Sequence, residues 1–417
     1  MQKTPRANRP HIGIFGRRNS GKSTLVNALT NQQVSVVSSV PGTTTDPVYK
    51  SMELHPLGPV VIIDTAGIDD EGSLGELRVQ KTKKILRQTD VALLLIDAQV
   101  GLTSREKALY EKLARRKIPT IVVINKIDLS SSSEISALSS QVEKISHSPA
   151  LPVSAEQQNG IERLQNEIVK STPEKIEPDF IAADLIPEGS LCMLVTPIDE
   201  AAPKGRLILP QVQTIRDLLD HHCMVLIIRE TELQEALDAT SRCPDLVVCD
   251  SQVFAQVDAA VPSDVPLSSF SILFARFKGD LDTYLDGLRE LTGMKQKMNI
   301  LIAEACTHRR THEDVGTVKI PKILRARFPD REFSFEHCAG GQFPNDLNTY
   351  DLVLHCGGCM INRKEMMSRL REAAGSGVPV INYGMLLAYL HGILLRALQP
   401  LGRNCELCFE EIAHELL

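Results

Sequence analysis

Short apolar runs separated by amphipathic stretches recur along nearly the whole chain, and that alternation predicts an α/β architecture. Residues 12–15, 60–63 and 120–124 are such runs, each followed at once by small or polar residues. Runs without polar alternation are what a strand buried on both faces requires, so these predict parallel strands inside a sheet. A helical pattern starts near Lys22, and residues 161–169 predict an amphipathic helix. The stretch 171–178 is then charged and carries Pro173 and Pro178, which marks a boundary. Further runs at 192–196, 224–228 and 246–249, with a helical stretch at 215–221, predict a small α/β unit. After a vaguer break at 261–266, residues 299–303, 332–335, 352–355 and 379–381 read as strands of another open parallel sheet. The expected division is 1–172, 173–265 and 266–417, in keeping with a length that exceeds one ordinary core.

Composition narrows the class. Hydrophobic residues make up 43% of the 417 and charged residues 24%, the balance of a soluble globular protein. A formal charge of −6 argues against bulk nucleic-acid affinity. The first residues carry Lys3, Arg6 and Arg9 with no apolar stretch behind them, so no secretory signal is expected, and no run reaches membrane-spanning length. Ten cysteines in such a chain point to a reducing cytoplasm, where thiols pack, bind metal or react.

The first unit carries a phosphate-cradling motif, Gly16-Arg17-Arg18-Asn19-Ser20-Gly21-Lys22-Ser23, followed by Thr24 and placed between a predicted strand and a predicted helix. Its glycines let successive backbone N–H groups face the β-phosphate. Lys22 reaches the β- and γ-phosphates, and Ser23 holds magnesium (Mg2+). Thr44, in Pro41-Gly42-Thr43-Thr44-Thr45-Asp46, is placed to join the metal shell when a γ-phosphate is present. Asp64-Thr65-Ala66-Gly67 follows the run 60–63, which sets Asp64 to touch the metal through water and the Gly67 amide to face the γ-phosphate. Asn125-Lys126-Ile127-Asp128 ends the run 120–124, and the Asp128 carboxylate accepts from both N1–H and the exocyclic amine of guanine. Adenine has no such donor pair, so the expected ligand is GTP. Ser154-Ala155 completes the set as the loop behind the base.

These motifs resemble those of TrmE/Era-like GTPases. The residue after Gly67 is Ile68, so the glutamine that positions water in Ras-like proteins is missing. The resemblance implies that Asn19 helps hold a potassium ion (K+) that offsets transition-state charge. It also gives Glu76, 12 positions after Asp64, a water-orienting role. Lys22, Thr44, Gly67 and Glu76 are then the catalytic set.

The third region holds a second chemical signal. Cys306-Thr307-His308 follows the predicted strand 299–303, and His355-Cys356-Gly357-Gly358-Cys359 follows 352–355. Both fall at strand C-termini, where open α/β sheets place ligands. Three thiolates and two imidazoles brought together there suit an iron–sulfur cluster with a replaceable fourth ligand. A zinc site from Cys306, His308, Cys356 and Cys359 satisfies the same spacing, and unligated packing is a third reading. Glu304 is a strand-end acid or an oxygen ligand. Cys192, Cys223, Cys243 and Cys249 are expected to pack, and Cys405-Glu406-Leu407-Cys408 is assigned to helix packing or chance.

A TrmE/Era-like module, a small α/β domain, then Cys-x-His, 46 residues and His-Cys-x-x-Cys resembles HydF, the GTPase family that matures FeFe hydrogenases. The likeness covers nearly the whole chain. It implies a homodimer through the middle domain and a four-iron four-sulfur (4Fe-4S) cluster on Cys306, Cys356 and Cys359, with His308, His355 and Glu304 at positions whose ligand role varies. It further implies a scaffold that receives a transient di-iron precursor in concert with two radical SAM maturases and passes it to apo FeFe-hydrogenase. Neither nucleic acid nor membrane is an expected partner. The competing expectation is a GTPase of RNA modification or ribosome assembly with a structural zinc site.

Overall fold

The computed structural model describes residues 5–30, 48–65, 75–173, 178, 180–198, 207–291, 295–306, 314–344 and 346–402, with the side chains of 75–81 outside that description. The chain divides into two compact units, Met1–Ile176 and Glu177–Leu417.

The first unit is built on six strands: β1 (His11–Phe15), β2 (Val48–Leu54), β3 (Gly58–Asp64), β4 (Val91–Asp97), β5 (Thr120–Asn125) and β6 (Leu151–Pro152). Their order is β2-β3-β1-β4-β5-β6, with β2 antiparallel to β3 and the other pairings parallel. Every residue of β1 and β4 is buried. Alternate residues explain this: Ile12, Ile14, Leu93 and Leu95 enter the core on one face, and Phe15, Ala92, Leu94 and Ile96 the core on the other. Helices Lys22–Thr30, Ser104–Arg115, Ser132–Ser146 and Ile161–Ser171 flank the strands in sequence. Two of them start at a reciprocal cap, Thr103 with Glu106 and Ser131 with Glu134. The antiparallel edge β2 and the central β4 were not anticipated from the sequence.

The second unit contains two parallel sheets. The first consists of β7 (Leu191–Val195), β8 (Met224–Ile228), β9 (Leu246–Cys249) and β10 (Leu267–Ser269), in the order β10-β9-β7-β8. The second consists of β11 (Lys297–Glu304), β12 (Glu332–Ala339), β13 (Leu352–His355) and β14 (Val380–Asn382), in the order β12-β11-β13-β14. The proline-bearing stretch that reads as a break near 265 is the turn into β10, so the first of these sheets runs to Ser269. The helix expected at 215–221 extends over Leu209–Asp220 because Pro210 lies in its first turn, where a missing N–H costs nothing.

Both sheets of this unit share one apolar core, to which the first contributes Met193, Val195 and Val247 and the second Ile300, Ile302 and Val353. Each such buried side chain contributes about 1.5–3 kcal/mol relative to exposure, which is why the two sheets form one compact unit. Helix Phe270–Lys278 joins them. Its Ile272 and Ala275 enter the shared core, while Phe270, Leu273, Phe274 and Phe277 enter a second apolar cluster with Cys192, Leu194 and Val248.

Candidate functional site

The phosphate loop leaves the C-terminal end of β1 and turns into helix Lys22–Thr30. Gly16 and Gly21 have φ of 145° and 90°, values open to glycine but strained for other residues. At Gly16 an added Cβ would also come within 2.7 Å of the Leu95 carbonyl. Lys22 is buried, and its Nζ donates to the carbonyls of Gly16 and, at 2.8 Å, Arg17, so the ammonium is held over the loop. The Ser23 hydroxyl donates to Asp64 Oδ2 at 2.9 Å, which brings together the two groups expected to share magnesium. Ser20 is 1% exposed and its hydroxyl has no partner among the described residues. A buried orphan hydroxyl in a glycine-bounded loop fits a site made for a polar ligand.

The base end is tied to this loop by one side chain. Asn125 Nδ2 donates to the Ser20 carbonyl at 2.9 Å, and Asn125 Oδ1 accepts from the Ala155 amide at 3.1 Å. Lys126, left-handed at φ 63°, pairs with Asp97 at 2.8 Å. Asp128 is exposed, whereas Ser154 and Ala155 are buried. Asn19, also exposed, has φ 64°. Thr44 and Gly67 lie outside the described residues, as does the side chain of Glu76. Arg17, not singled out from the sequence, has its guanidinium 3.6 Å from the buried Glu106 of helix Ser104–Arg115.

The cysteine motifs come together at the C-terminal edge of the last sheet. Ala303 of β11 pairs with His355 of β13, so the loops that follow, with Cys306 and Cys356, leave the sheet side by side. The Cys356 Sγ accepts from the Ala305 amide at 3.1 Å. Gly358 (φ 68°) turns the chain between the two cysteines of the second motif. Cys359 packs against the cluster containing Phe274 and Phe277. All three thiols are half-buried by accessible surface, yet desolvation dominates the acidity of Cys356 and Cys359. Burial pushes Cys356 up to about 12, with Cys306 the next contributor and the Ala305 and Gly358 amides opposing. Burial also pushes Cys359 far up, followed by Cys356 and Cys306, while Lys278 opposes.

Three cysteines on two loops that leave paired strands, with a backbone N–H already donating to one sulfur, are donors of the kind that bind metals as thiolates. Among the described residues, no group of three or more His, Cys, Asp or Glu is arranged to hold a single metal ion. His308, like Cys405 and Cys408, lies outside the described residues.

His355 faces elsewhere. Its Nε2 lies 3.1 Å from Arg369 Nη1, which can only donate, so Nε2 accepts and Nδ1–H donates to the Cys356 carbonyl at 2.7 Å. In this arrangement neither ring nitrogen has a lone pair left for a metal. Burial, then Arg369, holds its pKa down at about 3. Arg369 is 1% exposed; it also pairs with the buried Glu365 at 2.7 Å, donates to the Gly340 carbonyl and lies over the Phe343 ring. Glu304 is buried at the end of β11. Of the cysteines expected to pack, Cys192, Cys223 and Cys249 are buried, whereas Cys243 is exposed. Cys338, Arg369 and Tyr383 around this edge escaped sequence reasoning; the Glu365/Arg369 spacing of four on a helix was the available signal for the second.

Among the described residues, no helix is long and apolar enough to cross a membrane. The family models place known domains along the chain: a 50S ribosome-binding GTPase over residues 11–126, a Hydrogen maturase F dimerization domain over 181–279 and a Hydrogen maturase F tetramerization domain over 282–400. GTPase Der of a Nitratiruptor species is 33% identical over 175 residues, 40% of this chain and 38% of that protein. The tRNA modification GTPase MnmE of Nitrosomonas europaea is 34% identical over 161 residues, 38% of this chain and 34% of that protein. GTPase Der of Campylobacter jejuni is 40% identical over 126 residues, 30% of this chain and 27% of that protein. The chain thus spans between 27% and 38% of the length of these curated relatives. With a GTPase domain built on the phosphate loop, and two maturase domains over almost all of the second unit, the chain belongs to the hydrogen maturase F family, HydF.

Proposed function

We propose that this chain is a GTP-binding and GTP-hydrolysing scaffold that carries a 4Fe-4S cluster on Cys306, Cys356 and Cys359 and delivers the di-iron precursor during FeFe-hydrogenase maturation. The observation that supports the reading is the pairing of β11 with β13, from which the loops carrying Cys306 and Cys356 leave one sheet edge side by side, with Cys359 three residues further on. A thiolate-bound cluster with one iron not held by cysteine supplies an exchangeable coordination position when bound. His308 and Glu304 are the candidates for a fourth, replaceable ligand. His355, whose nitrogens are both engaged, instead fixes the Cys356 backbone.

In the first unit, Lys22 binds the β- and γ-phosphates, Ser23 and Asp64 hold magnesium, and Asp128 selects guanine. Thr44 and the Gly67 amide respond to the γ-phosphate, Asn19 assists a potassium ion, and Glu76 orients water. Binding and hydrolysis alter partner association rather than chemistry at iron, because the two sites lie in separate compact units. Self-association as a homodimer is supported by β8, an edge strand that exposes Met224 (48%) and Ile227 (41%) within the stretch matching the dimerization domain. The partners are the two radical SAM maturases and apo-hydrogenase, in the cytoplasm, with neither nucleic acid nor membrane involved.

Anaerobic reconstitution with iron and sulfide tests the reading. Broad visible absorption with about four irons and four sulfides per chain is expected. A colourless chain holding one zinc would replace it with the RNA-modification or ribosome-assembly alternative. Affinity for the maturases, compared between GDP and a non-hydrolysable GTP analogue, tests the switch; equal affinities would remove it.

A further inference from the structure

The pairing of β11, β13 and β14 sets Ala303, His355 and Asn382 side by side. The next residues along the chain are Glu304, Cys356 and Tyr383. Strand alternation sends Glu304, the last residue of β11, to the face opposite Ala303; Cys356 and Tyr383 are the first residues beyond β13 and β14, while the His355 ring goes to Arg369. Gly316 lies over that second face: an added Cβ there would come within 2.6 Å of both Glu304 Oε1 and Tyr383 Oη, and within 3.2 Å of Ile302 Cγ2. Gly316 belongs to a π-helical turn, Val315–Lys319, a conformation frequent at functional sites. Asp314 holds the turn by accepting from the Thr317 amide and hydroxyl, each at 2.7 Å.

Within this enclosure Tyr383 is 6% exposed, and its hydroxyl has no hydrogen-bond partner among the described residues. A buried hydroxyl without an acceptor is a net cost to the empty protein, which a bound acceptor would offset. Burial, then Glu304, Cys356, Asp314 and Cys338, raises its pKa well above the ordinary tyrosine value, so the group keeps its proton and remains a donor.

We propose that the Tyr383 hydroxyl is a hydrogen-bond donor to a sulfur of the cluster held by Cys306, Cys356 and Cys359, and that it raises the cluster's reduction potential. The inference rests on the cluster reading above. Hydrogen bonds to cluster sulfurs are among the determinants of potential, because reduction adds negative charge that a donor stabilises.

Tyr383→Phe removes only the oxygen, and the test compares it with the wild-type chain before and after anaerobic reconstitution with iron and sulfide. The empty variant should unfold at the same temperature as wild type or higher. The loaded variant should hold the same iron but show a midpoint potential more negative by about 59 mV, a tenfold change in a one-electron equilibrium. It should also lose one exchangeable-deuteron coupling seen by pulsed EPR in D2O. Iron released to a chelator about tenfold faster, with empty-chain stability unchanged, would be the same contact read as retention. Equal potentials and equal deuteron couplings at equal iron content overturn the role of Tyr383 alone, as does a loss of stability confined to the empty chain. A wild-type chain that takes up no iron and sulfide overturns the cluster reading beneath it.

Discussion

At the phosphate loop, the groups proposed to meet the nucleotide come from eight consecutive residues, Gly16 to Ser23, and backbone N–H groups are among them. The thiol nest also lies at the C-terminal edge of a parallel sheet, yet Cys306 and Cys356 are 50 positions apart. They meet only because β11 and β13 are neighbours in register. The first site is polar and tied by short hydrogen bonds through Asn125 and Lys22. The second is desolvated, and burial makes Cys356 and Cys359 resist ionisation. One site is thus set by local conformation, the other by strand pairing and burial.

The strongest way to break this comparison is Cys356→Ser. Iron content after reconstitution should fall to about a tenth of wild type or less, since each thiolate lost removes a ligand. GTP affinity by titration should stay within about twofold. A parallel collapse of GTP binding would mean that the sites are not separable.

Arg369→Met should be next in size. It strands Glu365 and His355 in a dry interior and should cost about 3–5 kcal/mol in the second unit by denaturant unfolding. Replacing Arg369 and Glu365 together by methionine should restore most of the loss, because no charge is then left unpaired. If the double variant is as unstable as the single, the ion pair is not the source.

Asp128→Asn should remove about 1.5–3 kcal/mol of guanine recognition, roughly 10- to 100-fold in GTP affinity, with iron retained. Iron loss in that variant would join the two sites directly. Gly21→Ala should be the mildest. At φ 90° and crowded by the Asn125 amide, an alanine should cost about 1 kcal/mol or more, read as weaker GTP binding without change in iron.

Legibility in the sequence followed this same division. The run at 246–249 coincides with β9, because a strand buried between neighbours needs uninterrupted apolar residues, whereas the equally apolar run at 224–228 is the half-exposed edge strand β8. The phosphate loop was legible because it is contiguous and carries its own turns at Gly16 and Gly21. His355 was not. As a neighbour of Cys356 it looked like a ligand, but alternation along the strand sends its ring to Arg369. Tyr383 could not be singled out at all, since nothing local distinguishes it from a core tyrosine. Strand β10 was hidden because three residues between prolines and a helix carry too little pattern.

The sequence alone determined the α/β class and the nucleotide loop and singled out the cysteine motifs, since periodicity and contiguous motifs are properties of neighbouring residues. Only the tertiary structure decided that the loops of Cys306 and Cys356 leave paired strands, that both nitrogens of His355 are engaged and where a buried hydroxyl waits without an acceptor. Those outcomes depend on the register between strands distant in the chain, and no local pattern encodes that register.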